Sequence, residues 1–377
     1  MLISRRSWFV GSGALLVMGG PGPAWAADDI VVGVAGPFSG PNAAQGEEMR
    51  HGVEVAAQDI NARGGVLGRR IRLEFADDAS DPKQGVAVAG RLVGRKVAAV
   101  LGHMNSGVSI PASAVYAEAN LVMVSPAATN PALTDRAAAK GWTTVFRTIG
   151  RDDAQGTFAG RYIARRFAGK RIAIVHDKTA FGKGIADETR KALNGQGITE
   201  VAYDSVTVGE KDFSALITAL KGARVDVIYY GGLYTEAGLI VRQAKDQGLK
   251  ATLVAGDGAL NPAFWEVAGA SGEGTLMTFA ADPQASPTAA AAVERLKARG
   301  ANPGGYTLYS YAALEVIVAA IARAGSLKTD AMTKALRDGR PVDTVAGPIA
   351  FDHKGDVKDA QFVMFAWSNG RYKAITE

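Results

Sequence analysis

The segment IVVGVAGPFSG at residues 30–40 decides the fold class of this chain. Its first six residues form a short, valine-rich apolar run, and the glycine and proline that follow predict a turn. This pattern is typical of a buried parallel strand that enters a loop. Apolar side chains then recur at helical spacing from Met49 to Ile60, and Gly64-Gly65 predicts the end of that helix. A strand, a loop and a helix in this order are the repeating unit of an α/β protein.

The same unit repeats along the chain. Further strands are predicted at 71–76, 97–101, 121–125, 171–176, 225–230 and 252–255, and further helices at 83–92, 112–119, 154–167, 184–193, 213–220 and 237–247. Because strands separated by such helices need parallel crossovers, the sequence predicts two doubly wound parallel-sheet lobes of the α/β class. Past about Ala280, three helices are predicted at 288–298, 311–324 and 330–336, and two strands at 348–352 and 362–367. They are too few for a third core, and we expect them to complete the two lobes.

The composition excludes much catalytic chemistry. The 377 residues include no cysteine, which excludes a disulfide, a thiolate nucleophile and a cysteine-ligated metal. Four histidines leave little material for a multi-histidine metal site. The 42 Lys and Arg against 37 Asp and Glu give a formal net charge of +5, but the basic residues are scattered, with no run typical of a nucleic-acid-binding arm. We therefore expect no cofactor, no metal and no nucleic-acid partner.

The first 26 residues have the features of an export signal. Paired arginines in SRRSWF at 4–9 accompany a short apolar stretch at 8–18, and AWA at 24–26 is an A-x-A cleavage pattern. We expect cleavage near Ala26/Ala27 and a mature protein in the periplasm. The paired arginines also fit a twin-arginine signal, which leaves the export route open. No later apolar run of about 18 residues predicts a membrane span.

Polar residues stand in several strand-end loops, where open α/β sheets bind their ligands. Ser106 in GHMNSG is expected to be a helix N-cap whose hydroxyl and neighbouring amides could hold a carboxylate, although a plain cap is an equally good interpretation. Thr129 lies in SPAATNP, and Asp257 lies between two glycines that allow a close approach. Each of these two segments could also be a plain turn.

The same loops offer little for catalysis. His103 lies near Ser106, yet the chain has no G-x-S-x-G elbow for a nucleophile. Asp77 and Asp78 are adjacent in an extended segment, so their carboxylates should point to opposite faces and not share an acid/base site. The sequence therefore favours a binding protein over an enzyme.

Eight segments, taken together and in order, carry a family resemblance. They are VGVAGPFSGP, DINARGGVLGRRIRLEFADDASDPKQGVAVAGRL, GHMNSG, SPAATNPALTDR, FRTIGRDDAQG, IAIVHDKTAFGKG, VGEKDFSALI and DVIYYGGLYTEA. From about residue 29 to its end the chain resembles the leucine/isoleucine/valine-type periplasmic binding proteins, the substrate-binding subunits of branched-chain amino-acid ABC transporters. This resemblance implies a type I periplasmic-binding fold with three hinge crossings, near 148–152, 280–282 and Asp356. Lobe one would be 27–149 plus 282–355, and lobe two 150–281 plus 356–377.

The resemblance also implies how the ligand's α-carboxylate and α-ammonium are held. Ser106 would supply a hydroxyl and an amide to the carboxylate, and Ala127 would contribute backbone. Thr129 would give an amide to the carboxylate and a hydroxyl to the ammonium. Asp257 stands where the family usually has a glutamate that completes the ammonium site.

The residues expected around the ligand's side chain depart from the family pattern. Gln45, Phe181 and Leu233 occupy places where aromatic residues are frequent, whereas Tyr306 keeps an aromatic ring. Leu233 has no hydroxyl for the carboxylate, and the adjacent Tyr234 is a candidate replacement. A cysteine pair found in some relatives is replaced here by Ser80 and Asn105.

Three functions remain open on this basis. The first is an exported, monomeric substrate-binding subunit of an ABC importer that captures a small aliphatic or aromatic amino acid by hinge closure and delivers it to membrane permease subunits. The second is the same fold binding an aromatic or other small carboxylate without an amine, with Phe181 and Tyr306 stacked on a ring and Asp257 meeting a hydroxyl. The third, a cytoplasmic sensor or repressor, is disfavoured by the export signal.

Overall fold

The computed structural model of the protein describes residues 29–375. The predicted signal peptide, residues 1–26, and its cleavage site lie outside the described residues. The first sheet has five parallel strands in the order β2-β1-β3-β4-β5. They are β1 Ile30–Gly36, β2 Ile71–Asp77, β3 Ala99–Gly102, β4 Met123–Ser125 and β5 Val145–Arg147. The helices of this part are α1 Ala43–Ala62, α2 Pro82–Gly94, α3 Ser106–Glu118 and α4 Ala132–Ala139.

The second run of strands and helices starts after β5. Its helices are α5 Asp152–Arg166, α6 Ala180–Asn194, α7 Ser214–Gly222, α8 Tyr234–Asp246 and α9 Pro262–Ala268. Its strands are β6 Ile172–His176, β7 Ala202–Ser205, β8 Val227–Gly231, β9 Thr252–Ala255 and β10 Leu276–Ala280. All five strands pair in parallel, as right-handed strand–helix–strand crossovers require.

The chain after β10 returns first to the five-stranded sheet. Its helices are α10 Ala290–Ala298, α11 Tyr306–Ala324 and α12 Thr329–Leu336. α11 packs along α1, and Gly52 permits the close approach because a Cβ there would collide with the carbonyl oxygen of Thr307. Among residues 29–375, α11 is long and apolar enough to cross a membrane, yet 67% of its most apolar stretch is buried inside the protein. It is therefore placed as a core helix.

The last strands correct the sequence expectation in two ways. The strand expected at 348–352 is part of a separate antiparallel hairpin, β11 Val342–Thr344 with β12 Gly347–Ile349. β13 Phe362–Ser368 and β14 Arg371–Ile375 then add to β10 antiparallel, so the second sheet is mixed, in the order β14-β13-β10-β9-β8-β6-β7. The α/β class with two wound sheets is confirmed.

The division into lobes at 27–149 plus 282–355 and 150–281 plus 356–377 stays a proposal. Its support is that strands 30–147 form one sheet, and strands 172–280 and 362–375 form the other. The first crossing, near 148–152, packs against the start of β13, which follows the last crossing, since a Cβ on Gly150 would lie 2.5 Å from the Phe362 ring. The backbone N–H of Arg147 also donates to the Gly355 carbonyl at 3.0 Å.

Candidate ligand-binding site

A cavity with about 270 Å³ of empty space, including the open solvent at its mouth, lies between the two sheets, at the carboxyl ends of their strands. Gln45 lines it beyond β1, Ser106 beyond β3 and Ala127 beyond β4. From the other lobe, Phe181 follows β6 and Leu233 follows β8. Tyr306, at the start of α11, and three residues that the sequence analysis did not select, Met104, Asn105 and Gly258, complete the lining. Six of the nine expected residues thus meet at one cavity, and the other three are placed below.

Ser106 is the first residue of α3 and not its N-cap. Asn105 occupies the cap position with an extended backbone, and its side chain makes no capping bond. The Ser106 hydroxyl accepts a hydrogen bond from the backbone N–H of Asn130 at 3.2 Å. The expected cap is therefore wrong, but α3 still begins at the cavity, because Asn105 and Ser106 line it. The first N–H groups of a helix lack acceptors in a preceding turn and favour an anion.

The loop with Ala127 and Thr129 is held by its own buried bonds. The Ser125 hydroxyl donates to the His103 carbonyl at 2.7 Å and accepts from the Ala128 N–H at 3.0 Å, which ties this loop to the Ser106 loop. Arg147 Nη1 donates to the Ala128 carbonyl at 2.7 Å and to the Asn130 carbonyl at 3.0 Å. Arg147 therefore satisfies two carbonyl groups of this loop and fixes the loop's position.

Asp257 lies just behind the cavity lining and is only 1% exposed. The Tyr306 hydroxyl donates to its Oδ2 at 2.6 Å across the two lobes, and Gln155 Nε2 donates to its Oδ1 at 3.2 Å. Burial raises the pKa of this carboxyl to about 6, and the two side-chain bonds work against that rise. A carboxylate has about four acceptor positions, so Asp257 keeps room for a further donor.

Asp152, which the sequence analysis did not select, is a second buried acid whose pKa, like that of Asp257, is raised by burial. It is fully buried at the start of α5, on the first crossing, and within residues 29–375 neither of its carboxylate oxygens has a hydrogen-bond partner. The Thr129 hydroxyl and the Gln155 Oε1 are buried and likewise have no partner at full hydrogen-bond geometry within the described residues. Burial, and next the negative charge of Asp257, raise the pKa of the Asp152 carboxyl well above its usual value, while the nearby Thr129 hydroxyl and the positive charge of Arg147 oppose the rise. The RDD in FRTIGRDDAQG, an acid on a hinge crossing, is the signal that could have identified it.

Tyr234 does not line the cavity. It starts α8, and its hydroxyl donates to the Pro41 carbonyl at 2.8 Å, across the mouth of the cleft. The hydroxyl expected at the ligand carboxylate is thus engaged between the lobes. Leu233, one residue earlier, points into the cavity with Phe181, and Gly258 makes room because a Cβ there would lie 2.7 Å and 2.8 Å from these two side chains.

The pair that replaces the relatives' cysteines is in contact. Ser80 Oγ donates to Asn105 Oδ1 at 2.9 Å and accepts from Asn42 Nδ2 at 2.8 Å. A chain of two hydrogen bonds therefore joins the loops after β1, β2 and β3 beside the cavity.

The histidine near Ser106 in the sequence, His103, makes its side-chain contacts with Asp78 and Tyr116. His103 Nδ1 lies 2.7 Å from Asp78 Oδ2, and its Nε2 lies 2.9 Å from the Tyr116 hydroxyl, all three side chains being buried. Asp77 instead accepts from the backbone of Phe38 at 2.9 Å, so the adjacent carboxylates serve different partners. In the part of the chain that the structure describes, no group of three His, Asp or Glu side chains is arranged to hold a metal ion.

Hydrogen bonds between the lobes hold the cleft closed. Besides Tyr306 to Asp257 and Tyr234 to Pro41, Asn261 Nδ2 donates to Glu48 Oε1 at 3.0 Å and Asn130 Nδ2 donates to the Ala180 carbonyl at 2.6 Å. Burial raises the pKa of the Glu48 carboxyl to about 8. The cavity is therefore enclosed by residues of both lobes.

This arrangement, two wound sheets closed on a cavity at their strand ends, agrees with the comparisons. A family model described as periplasmic binding protein matches residues 29–371. The chain belongs to the periplasmic binding protein family. Among curated relatives, this binding protein is 47% identical over 376 residues to the Leu/Ile/Val-binding protein homolog 1 of Brucella melitensis, covering 99% of this chain and 100% of that one.

Two solved structures are similar to this binding protein over 92% of its length. One is the leucine binding protein LivK from Thermotoga maritima, with 28% identity, a TM-score of 0.84 and 98% of that chain covered. The other is the branched-chain amino acid transporter substrate binding protein LivJ from Streptococcus pneumoniae in complex with isoleucine, with 27% identity, a TM-score of 0.84 and 99% covered. The family resemblance and the type I periplasmic-binding fold expected from the sequence are confirmed.

Proposed function

We propose that this binding protein is the substrate-binding subunit of an ABC importer and captures a small amino acid by closing its two lobes on it. The observation that carries the proposal is the buried acceptor cluster formed by Asp152, Asp257 and the Thr129 hydroxyl. The relatives' names support the transporter role, and one of the similar structures holds isoleucine. We further propose a monomer that acts in the periplasm, docks on membrane permease subunits, and neither binds nucleic acid nor catalyses a reaction.

The carboxylate of the ligand is assigned to the loop ends of lobe one. Ser106 offers a hydroxyl and a first-turn amide of α3, while Ala127 and Thr129 offer backbone. Amides at a helix N-terminus favour an anion because they are unpaired and carry a partial positive charge. Arg147 occupies the Ala128 and Asn130 carbonyls, and this supports an amide-lined surface on the ligand side.

The ammonium is assigned to the acceptor cluster. Among the described residues, neither oxygen of Asp152 nor the Thr129 hydroxyl has a partner at full hydrogen-bond geometry, although these two side chains lie near each other. Asp257 lies close enough to raise the pKa of the Asp152 carboxyl. Burying polar groups without partners is costly, whereas an ammonium brings three N–H donors and a positive charge to such a cluster. A carboxylate ligand without an amine would instead add a negative charge beside two buried acids. This contrast favours the amino acid over the amine-free alternative.

The ligand's side chain is assigned to the wall formed by Phe181, Leu233 and Tyr306. Within the described residues, no charged side chain lines the cavity, so an ionised ligand side chain would be buried without a counter-ion. We expect neutral amino acids to bind more tightly than aspartate, glutamate, lysine or arginine.

Asp257→Ala, measured by calorimetric titration of ligand-stripped protein, tests the proposal. With leucine and phenylalanine we expect a loss of more than about a hundredfold in affinity, because the ammonium loses its charged partner in a closed cleft. The deaminated keto acid of leucine and a benzoate should not suffer this loss. Asp257→Asn keeps the side chain's shape and should behave like the alanine variant.

The control is Asp204→Ala, which removes an exposed acid of the same lobe and should leave affinity unchanged. A wild-type protein that binds the keto acid or benzoate tightly while no amino acid binds would overturn the proposal. A thermal-shift screen finds the ligand first, since a ligand at 100 times its dissociation constant stabilises by about 2.7 kcal/mol.

A further inference from the structure

Gln45 is the most unusual side chain of the cavity lining. It lies in the first turn of α1 beyond β1 and is 2% exposed. It lines the cavity, and the hydrogen bonds found within residues 29–375 engage its backbone N–H, which donates to the Asn42 carbonyl, but not its side-chain amide. The amide is not among the fully buried side-chain atoms without a partner, so it is accessible from the cavity. Gln45 therefore offers a donor and an acceptor to a ligand in the cavity.

The two walls of the cavity differ in chemistry. Lobe two contributes Phe181 and Leu233, which pack with Ile185 into a small apolar cluster. Lobe one contributes Gln45 and Asn105 beside Met104. The Asn105 Oδ1 already accepts from Ser80, so its orientation is fixed by a neighbour outside the cavity. A ligand side chain between these walls meets an apolar surface on one side and amides on the other.

A purely aliphatic side chain would close the cleft over the Gln45 amide without satisfying it. The cost of an unsatisfied buried polar group exceeds the gain of an ordinary hydrogen bond, so the amide discriminates against such ligands. A hydroxyl or amide on the ligand restores the missing bond. Because Gln45 is neutral, the matching group is neutral too, and an ionised side chain stays disfavoured.

We propose that Gln45 is a specificity-determining residue that selects, among small amino acids, those whose side chain carries a neutral hydrogen-bonding group. This inference rests on the proposed function and deepens it, because it concerns the same cavity and names the ligand class more narrowly. It predicts that a polar side chain binds better than an aliphatic one of the same shape.

Two pairs of near-isosteric ligands test the inference, valine against threonine and leucine against asparagine. Calorimetric titration of the ligand-stripped protein should give tighter binding of the polar member in at least one pair, by on the order of 5- to 10-fold. Gln45→Met replaces the amide by an unbranched apolar side chain of similar volume. In this variant we expect the preference to disappear or to reverse toward the aliphatic member.

Gln58→Met is the matched control, since Gln58 lies on the same helix but is exposed and bonded to Arg299. It should keep the wild-type preference. Gln45→Leu is the second variant, and thermal melting of both ligand-free proteins checks that they fold.

Tighter binding of the aliphatic member in both pairs by the wild type would overturn the inference and leave the proposed function standing. A polar preference that survives in Gln45→Met and Gln45→Leu would also overturn it, because the selecting group would lie elsewhere. Phenylalanine is the fifth ligand: if it binds while none of the four does, the inference is overturned and the proposed function stands.

Discussion

Two clusters of buried charge lie within a few residues of each other and are built in opposite ways. At the hinge, Arg147 Nε lies 2.6 Å from Asp356 Oδ1, and Arg151 Nη1 lies 2.8 Å from Asp356 Oδ2. The Thr134 hydroxyl donates to the same carboxylate at 2.9 Å. In the cleft, Asp152 follows Arg151 directly in the chain, yet within the described residues its carboxylate has no hydrogen-bond partner.

The difference separates structural from functional charge. Each acid and base at the hinge lies beside an opposite charge from another chain crossing or from a flanking helix, so the charges of this cluster are balanced without a ligand. Arg151 also reaches Asp135 at 3.0 Å and Asp153 at 2.8 Å, on opposite sides of the crossing. The acceptors of the cleft are complete only when a donor enters. Mutations in the hinge cluster should therefore act on folding, and mutations in the cleft cluster on ligand affinity.

The largest effect is expected at Asp356. Asp356→Ala leaves the fully buried Arg147 guanidinium without its ionic partner, and breaking a buried pair in this way costs on the order of 3–5 kcal/mol. Urea unfolding of the ligand-free protein should show this loss in the free energy of unfolding. Asp343→Ala, at an exposed acid of β11, is the control and should change it little. A loss below about 1 kcal/mol in the free energy of unfolding for Asp356→Ala would contradict the structural role of the hinge cluster.

The opposite outcome is expected at Asp152. Asp152→Asn keeps the shape and removes a buried charge without a bonded partner, so the stability of the ligand-free protein should stay equal or rise. Amino-acid affinity should fall by about 1.5–3 kcal/mol, the range for hydrogen bonds to charged groups. Urea unfolding and calorimetry of the same preparation give both numbers. A loss of stability with unchanged affinity would place Asp152 among the structural charges.

Local pattern sufficed to predict most of the fold. The valine-rich run of β1, its glycine-proline turn and the periodic face of α1 each carry their signal within a few residues. β5, β7, β10, β11 and β14 were not predicted, and neither were α4 and α9. The missed strands have three to five residues, and their pairing depends on distant partners that a local pattern does not contain.

The site was predictable where it follows from strand ends, and not where it depends on side-chain direction. Ser106 was found because a strand stops just before it, and Ala127 followed from the family resemblance, in a loop that the strand-end pattern had also indicated. Tyr234 was expected at the ligand, but from its position at the start of α8 its hydroxyl donates to the Pro41 carbonyl instead. Asp152 was passed over because its lack of a partner is a property of the closed tertiary structure and not of the sequence.

A smaller, pH-dependent effect on the free energy of unfolding is expected at Glu48. Burial raises the pKa of its carboxyl to about 8, while the Tyr306 N–H bond opposes the rise. A raised carboxyl pKa means that the charged form is disfavoured in the folded state. The stability that Glu48 contributes is therefore full below its usual pKa of 4.5 and is lost as the pH rises toward 8.

Glu48→Gln isolates this contribution, because the other buried acids titrate in both proteins. Urea unfolding from pH 5 to pH 9 should show the variant gaining stability relative to wild type by about 1–3 kcal/mol or more, because the variant carries no charge for burial to penalise. If the difference in free energy of unfolding between the variant and wild type does not change with pH, the charge of Glu48 is balanced in the folded protein. Glu48 would then belong with the structural charges, like those of the hinge cluster.

The smallest effect tests whether a contact between the lobes acts on binding alone. The Tyr234 hydroxyl bonds the Pro41 carbonyl only across the closed cleft, so Tyr234→Phe should weaken amino-acid binding by about 0.5–1.5 kcal/mol, or roughly two- to tenfold. Tyr203→Phe is the matched control, because the Tyr203 hydroxyl bonds Asp187 within lobe two. This variant should change the stability of the protein without changing its affinity for the amino acid.

Small-angle scattering measures the closure itself. The radius of gyration should fall on ligand addition in wild type and in both variants, with more ligand needed for Tyr234→Phe. Equal affinities for the two variants would mean that the lobes do not separate at the Tyr234 contact, and a radius that ignores ligand at saturation would contradict closure itself.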